Sequence, residues 1–260
     1  MMKKVLTIAG SDCSGGAGIQ ADIKTITAHK MYAMSVVTAL TAQNTTGVYG
    51  IQDTAPDLVA RQLDCVFSDL SPEAVKIGMV SNAAIIEVIA DKLQQYQACN
   101  IILDPVMVST SGSRLLEPHA AEVLRGRLMP LADLVTPNLA EAELLCGFSV
   151  LNQEDMLKAA RKIAQGTGHA VLVKGGHCVG NADDLLYDDG GPVWFKGEKI
   201  HNPNTHGTGC TLSSAIACNL AAGCSMAHSI LNAKAYITGA LRDGLDLGKG
   251  KGPLNHCYCV

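Results

Sequence analysis

Charge is sparse in this chain. Lys, Arg, Asp and Glu make up 17% of the 260 residues, with a formal net charge of −4 and a pI near 6.0. A nucleic-acid-binding domain carries a basic patch or a pI above about 9, so that class is set aside. Long apolar runs are missing too: none approaches the roughly 18 residues of a membrane span. The opening "MMKKVLTIAGSD" has two lysines and a short apolar run, which breaks at Gly10-Ser11-Asp12. That is shorter than the usual signal-peptide core of about 7–15 residues, and it reads as a first buried strand. The ten cysteines include no CxxC pair and no zinc-like spacing; the closest are Cys257 and Cys259. They read as reduced thiols serving as small core residues in a cytoplasmic protein. No GxxxxGK[ST] phosphate loop occurs, and no GxGxxG fingerprint follows a strand.

What is there is alternation. Apolar strand runs at Val5–Ala9, Ser35–Thr41, Val75–Val80, Ile101–Val106, Leu134–Thr136 and Ala170–Lys174 are separated by helix-period stretches. Those stretches are Gly18–His29, Pro56–Leu70, Ala83–Tyr96, Pro118–Met129, Leu139–Leu145 and Asp155–Gln165. Strands alternating with helices predict an α/β fold with a mostly parallel central sheet. Strand runs that are apolar throughout predict helices on both sheet faces, a three-layer sandwich. After residue 183, Leu185–Tyr187 and Val193–Lys196 flank Asp189-Gly190-Gly191 and predict a small β-hairpin. Helices Cys210–Ala222 and Met226–Arg242 follow. With no internal repeat and no convincing linker, residues 1–260 read as a single domain.

In a doubly wound sheet, ligands bind at the carboxyl ends of the strands. The residues there are Gly10-Ser11-Asp12, Thr41 to Asn44, Gly78-Met79, Asp104, Thr136 to Asn138 and Lys174-Gly175-Gly176-His177. The turn "HGTGC" opens the helix after them. Free N–H groups and the dipole at a helix start favour an anion, and Gly207 and Gly209 can adopt positive φ to let a phosphate approach. The alternative is a tight turn in front of a buried helix. Asp104 before Pro105 is either a turn former or a ligand for Mg²⁺, which favours oxygen donors. Asn138 and Glu141 are spaced as an N-capping box or as two groups converging on one ligand. Lys174 is a snorkelling surface lysine or a phosphate contact. Gln43, at a strand end, reads by itself as an amide that tethers a loop.

Taken together, "LTIAGSDCSGGAGIQADIKT", "TALTAQNTTGV", "KIGMV", "LDPVMV", "TPNLAEAE", "LVKGGH" and "HGTGCTLSSAIA" resemble the ribokinase superfamily. Within it they are most similar to the hydroxymethylpyrimidine/phosphomethylpyrimidine kinases of thiamin biosynthesis, in order along nearly the whole chain. The resemblance implies a ribokinase-like sandwich that uses ATP and Mg²⁺. The implied substrate is 4-amino-5-hydroxymethyl-2-methylpyrimidine, phosphorylated once and then again on its monophosphate. It implies an anion hole at Gly207, Thr208 and Gly209, with Cys210 where most of the superfamily has a catalytic Asp. Asp104, Asn138, Glu141, Lys174 and Thr208 match positions near the nucleotide phosphates, with Asp104 and Glu141 organising Mg²⁺ through water. Gln43, Gly10, Ala17, Met79 and Val106 match positions around the pyrimidine. A homodimer is the implied assembly, with no nucleic-acid or membrane partner.

A thiol is a weak base at its ordinary pKa of about 8.5, and a helix N-terminus is expected to lower it. Two other readings stay open: a pyridoxine or pyridoxal kinase of the same fold, alone or as a second activity, and a non-catalytic binding module. Relatives that prefer pyridoxine tend to carry Met where this chain has Gln43, which tilts the reading to the pyrimidine. The tail departs from the family's usual ending at Asn255-His256-Cys257-Tyr258, so no function is carried onto it.

Overall fold

The computed structural model describes residues 2–107, 118–176 and 182–259. Its strands are β1 (Lys4–Asp12), β2 (Tyr32–Asn44), β3 (Gly47–Asp53), β4 (Ala74–Ile77), β5 (Ile101–Leu103), β6 (Leu134–Val135), β7 (Ala170–Val173), β8 (Asp184–Asp188) and β9 (Gly191–Phe195). They form one nine-stranded sheet in the order β3-β2-β1-β4-β5-β6-β7-β8-β9. The run from β2 through β7 is parallel, while β3 and the β8–β9 hairpin are antiparallel additions at the two edges. The mostly parallel sheet and the hairpin after residue 183 are as the sequence predicts.

The strands bury alternate residues on opposite faces, as period two demands. Leu6, Ile8, Val75, Ile77, Leu103, Val135, Val171 and Val173 face one core. That core is closed by α2 (Pro56–Asp69), α3 (Ala83–Gln95), α5 (Leu139–Cys146) and α6 (Gln153–Thr167). Val5, Ala74, Ile102, Leu134 and Leu172 face the other, closed by α7 (Thr208–Ala221) and α8 (Met226–Arg242) with Ile26 of α1 (Gly18–Ala28). Each such aliphatic side chain contributes about 1.5–3 kcal/mol on burial, which is why strand runs of three or four residues hold their places.

Four expectations are revised. The helix expected over Pro118–Met129 is α4 (Pro118–Val123), followed by a π turn at Leu124–Leu128 and a 3₁₀ turn at Met129–Leu131. Gly126 and Pro130 in that stretch both disfavour a continuous α-helix. Strand β3 was not expected; its residues are exposed or half-exposed on both faces, so it carries no apolar alternation to read. Strands β1 and β2 run past their expected ends, which carries Asp12 and Gln43 onto the sheet's rim. The described cysteines are free, yet only Cys146 and Cys218 are buried, while Cys13, Cys65, Cys99, Cys257 and Cys259 are exposed. Among the described residues no helix is long and apolar enough to cross a membrane.

Candidate active site

Residues 204–210 are anchored before they reach α7. The Asn204 side chain accepts from Gly252 N at 2.8 Å and donates to the Leu245 carbonyl at 3.0 Å. His206 N donates to the Gly252 carbonyl. Gly207 then caps the helix with φ +84°, and a Cβ there would lie 1.9 Å from the Gly16 carbonyl oxygen. Glycine is required at that position twice over, by conformation and by contact. Gly209 differs from expectation: it lies inside α7 and is absent from the positive-φ glycines. What it supplies is space, since a Cβ there would stand 3.2 Å from Asp104 Oδ2 and 3.4 Å from Lys174 Nζ. The Thr208 hydroxyl donates back to the Thr205 carbonyl, which tightens the turn.

Beneath Gly209 lies a charged cluster. Lys174 Nζ donates to Asp104 Oδ1 at 2.7 Å, with both side chains largely withdrawn from solvent. The snorkelling reading of Lys174 therefore fails. Glu141 is 5% exposed and completes the capping box of α5. Its Oε2 accepts from Asn138 N at 2.8 Å while Asn138 Oδ1 accepts from Glu141 N at 2.9 Å. Burial pushes the Glu141 carboxyl up to about 7, with Lys174 opposing and Asp104 adding to the rise. The capping and ligand-binding readings are thus compatible: the cap fixes Glu141 beside the Asp104–Lys174 pair. Among the described residues no trio of His, Cys, Asp and Glu forms a metal cage. Mg²⁺ is held by one or two carboxylates together with waters and phosphate oxygens, so Asp104 and Glu141 are a donor set that fits it.

Cys210 corrects an expectation. Burial pushes its thiol up to about 11; the Lys76 ammonium and the Gly18 N–H pull it down, and Asp22 and Asp104 push it further up. Desolvation outweighs both lowering influences, and the expected lowering at a helix start is not realised. Lys76 itself was not singled out in the sequence. It is fully buried in β4, and its Nζ donates to Asp22 Oδ2 at 2.8 Å.

The expected substrate residues fall into two groups. Gly10 abuts Met79, whose Cε would sit 2.7 Å from a Cβ at Gly10, and Thr38 Oγ1 donates to the Met79 carbonyl. Val106 is half-buried two residues past Asp104. Gln43 instead lines a cavity of about 390 Å³ with Asn44, Thr45, Thr46, His206, Gly250 and Lys251. Gly10, Ala17, Met79 and Val106 do not line that cavity. Ala17 closes the loop after β1, where its N–H and that of Gly16 donate to Asp12 Oδ2. Ser14 N and Oγ donate to Asp12 Oδ1, and His206 Nε2 lies 2.8 Å from Oδ2. Burial raises the Asp12 carboxyl, but hydrogen bonds from His206 and Ser14 outweigh it and hold the group at about 2. The tail, onto which no function was carried, closes this side of the cavity through Gly250 and Lys251. His177 lies outside the described residues.

A family model for phosphomethylpyrimidine kinase matches residues 12–255. The chain belongs to that family. It is 49% identical over 257 residues to the hydroxymethylpyrimidine/phosphomethylpyrimidine kinase of Rhizobium meliloti, covering 97% of this chain and 96% of that one. It is 50% identical over 253 residues to the thiamine biosynthesis bifunctional protein ThiED of Geobacter sulfurreducens, covering 97% of this chain but only 52% of that longer protein. An ADP complex of Bacillus subtilis pyridoxal kinase superposes with a TM-score of 0.91 at 36% identity, covering 99% of this chain and 98% of that chain. This kinase therefore brings a glycine turn, a buried carboxylate–lysine cluster and an amide-lined cavity to one edge of a ribokinase-like sheet.

Proposed function

We propose that the kinase transfers the γ-phosphoryl group of ATP to the hydroxymethyl oxygen of 4-amino-5-hydroxymethyl-2-methylpyrimidine, and then phosphorylates the monophosphate. The observation that carries the reading is the position of the 207–210 turn. It touches the Asp12–Ala17 loop at Gly16 and overlies Asp104 and Lys174 at Gly209. A substrate held near Gln43 and a phosphate chain held near Lys174 would both reach that turn.

Phosphoryl transfer asks for positioning and charge neutralisation more than for covalent chemistry. The N–H groups at the start of α7 supply donors for developing negative charge. Lys174 supplies a cation that can turn from Asp104 to a phosphate oxygen. Asp104 and Glu141 would hold a bound Mg²⁺ through water, and that ion would neutralise phosphate charge. Cys210 takes the hydroxyl proton in this reading. Its raised pKa makes it a strong acceptor once ionised, but one seldom ionised near neutral pH.

We read residues 1–260 as one kinase domain acting in the cytoplasm as a homodimer. Leu40, Tyr49 and Ile51, all exposed on the β2–β3 edge, suit a subunit contact. The close match to a pyridoxal kinase structure favours a second reading, activity on B6 vitamers. Coupled ADP release with the pyrimidine and with pyridoxine side by side tests both. Pyrimidine turnover at least tenfold more efficient than pyridoxine turnover supports the primary reading; the reverse order sinks it.

A further inference from the structure

We propose that His206 sets the orientation of the Gln43 amide and thereby makes the site selective for an aminopyrimidine edge. The inference rests on the reading of Gln43 as the substrate contact.

The two ends of a glutamine amide have the same shape, so its hydrogen-bond partners decide which end is oxygen. Gln43 has two such partners. Thr41 Oγ1 lies 3.1 Å from one end, assigned as Oε1, and His206 Nε2 lies 3.4 Å from the other, assigned as Nε2. That assignment over-commits two groups. The Thr41 hydroxyl has one hydrogen, and the Ser11 carbonyl at 3.0 Å already takes it. His206 Nε2 lies 2.8 Å from Asp12 Oδ2. With Asp12 ionised, Nε2 must carry a hydrogen there, and a nitrogen that donates to Asp12 cannot also accept from an amide NH₂.

Turning the amide over removes both conflicts. Oε1 then accepts from the His206 Nε2–H that it shares with Asp12. The amide NH₂ donates to Thr41 Oγ1, which stays free to donate to Ser11. One lone pair on Oε1 and one N–H are left over, side by side, for a ligand. That pair matches an amino group beside a ring nitrogen, which presents a donor next to an acceptor. It fits a 4-aminopyrimidine and lacks a counterpart in a pyridine whose ring nitrogen is not beside its polar substituent.

Backbone features support the same arrangement. The β2–β3 register shifts between Ala42 and Gln43, and such shifts re-aim side chains. His206 immediately precedes the Gly207 turn, and Asp12 also holds Gly16 and Ala17. The amide is therefore fixed from the same point that joins the substrate loop to the phosphate turn.

The test is calorimetric binding of 4-amino-5-hydroxymethyl-2-methylpyrimidine and of its analogue lacking the 4-amino group. Both ligands are measured with the native protein and with Gln43→Ala, His206→Ala and His206→Gln. The native protein is expected to prefer the amino ligand by about tenfold, the value of one oriented hydrogen bond. His206→Ala brings the two ligands within about twofold, and His206→Gln, which restores an N–H donor, recovers most of the preference. A merely structural role for His206 would weaken both ligands alike and leave the preference intact, which overturns the proposal. If Gln43→Ala keeps the preference, Gln43 is not the contact, and both readings fall. If Gln43→Ala abolishes it while His206→Ala does not, the role of His206 alone is wrong. Should His206→Ala fail to fold, the decision passes to His206→Gln. That variant upholds the proposal by keeping the preference and overturns it by losing the preference.

Discussion

Lys76 and Asp22 pair at 2.8 Å with neither side chain reaching solvent. Asp22 is further held by Thr7 Oγ1 at 2.5 Å and Ser214 Oγ at 2.8 Å. One carboxylate thus ties β1, β4, α1 and α7 together, one helical turn beyond Cys210. Burial lowers the Lys76 pKa, but the Asp22 charge and hydrogen bond together with the nearby Cys210 and Asp104 outweigh it, and the ammonium is held above its ordinary value. Removing one partner of a buried pair strands the other charge, at a cost of about 3–5 kcal/mol. Lys76→Met is therefore expected to lose stability of that order in urea unfolding. Adding Asp22→Asn should recover part of the loss, because Asn removes the stranded charge while its oxygen accepts from one of the two hydroxyls and its NH₂ donates to the other. A double variant no more stable than Lys76→Met would show that the charge is not what matters there.

Lys76 also marks the limit of what the residue pattern reveals. Helix Met226–Arg242 and the apolar strand cores are legible because burial imposes a period on them. A lysine inside the run "AVKIGMV" leaves a trace, since a buried charge demands a partner. The identity of that partner, 54 residues away, does not show. The Asp12–His206 contact spans 194 positions and leaves no local trace. The glycine turn was legible as the start of a helix, yet Gly207 and Gly209 serve different ends, one conformational and one steric. The sign of the Cys210 shift was misread because the helix start can be seen in sequence and the desolvation around it cannot.

The raised Cys210 thiol gives the base hypothesis a pH signature. Below about pH 11 the thiolate fraction grows about tenfold per pH unit. If thiolate takes the proton, kcat at saturating substrates should climb with unit slope from pH 7 to pH 9. Cys210→Asp, ionised above about pH 4, should flatten the profile. Cys210→Ser should lose roughly 10²–10⁴-fold in kcat. A Ser variant with full turnover removes Cys210 from proton transfer.

Glu141 serves the α5 cap and the charged cluster at once, and one substitution separates them. Gln at the third helical position still closes a capping box. Glu141→Gln should therefore unfold within about 0.5 kcal/mol of the native protein. It removes a negative charge from beside Asp104 and Lys174, so activity should fall about 10–100-fold, with higher Mg²⁺ needed for half-maximal rate. Loss of stability without a change in Mg²⁺ dependence would mean that Glu141 is a capping residue only.

The two glycines of the turn should fail in opposite ways when replaced by alanine. At Gly207 a methyl group meets the Gly16 carbonyl at 1.9 Å on a backbone with φ +84°. Such a conformation costs an alanine about 1–3 kcal/mol before the clash is counted. Gly207→Ala is expected to lower the thermal midpoint and to loosen the Asp12–Ala17 loop, read as faster amide exchange there. At Gly209 the backbone is helical, where alanine is favoured over glycine, and the methyl group meets only side-chain ends at 3.2 and 3.4 Å, so Gly209→Ala should cost far less stability than Gly207→Ala. Its methyl group instead enters the space between the turn and the Asp104–Lys174 pair, where the proposed reaction brings a phosphate. A misplacement of about 1 Å at a reacting group can cost about 10²-fold, and kcat should fall by that order. A fully active Gly209→Ala enzyme would place the transferred phosphoryl group away from this turn.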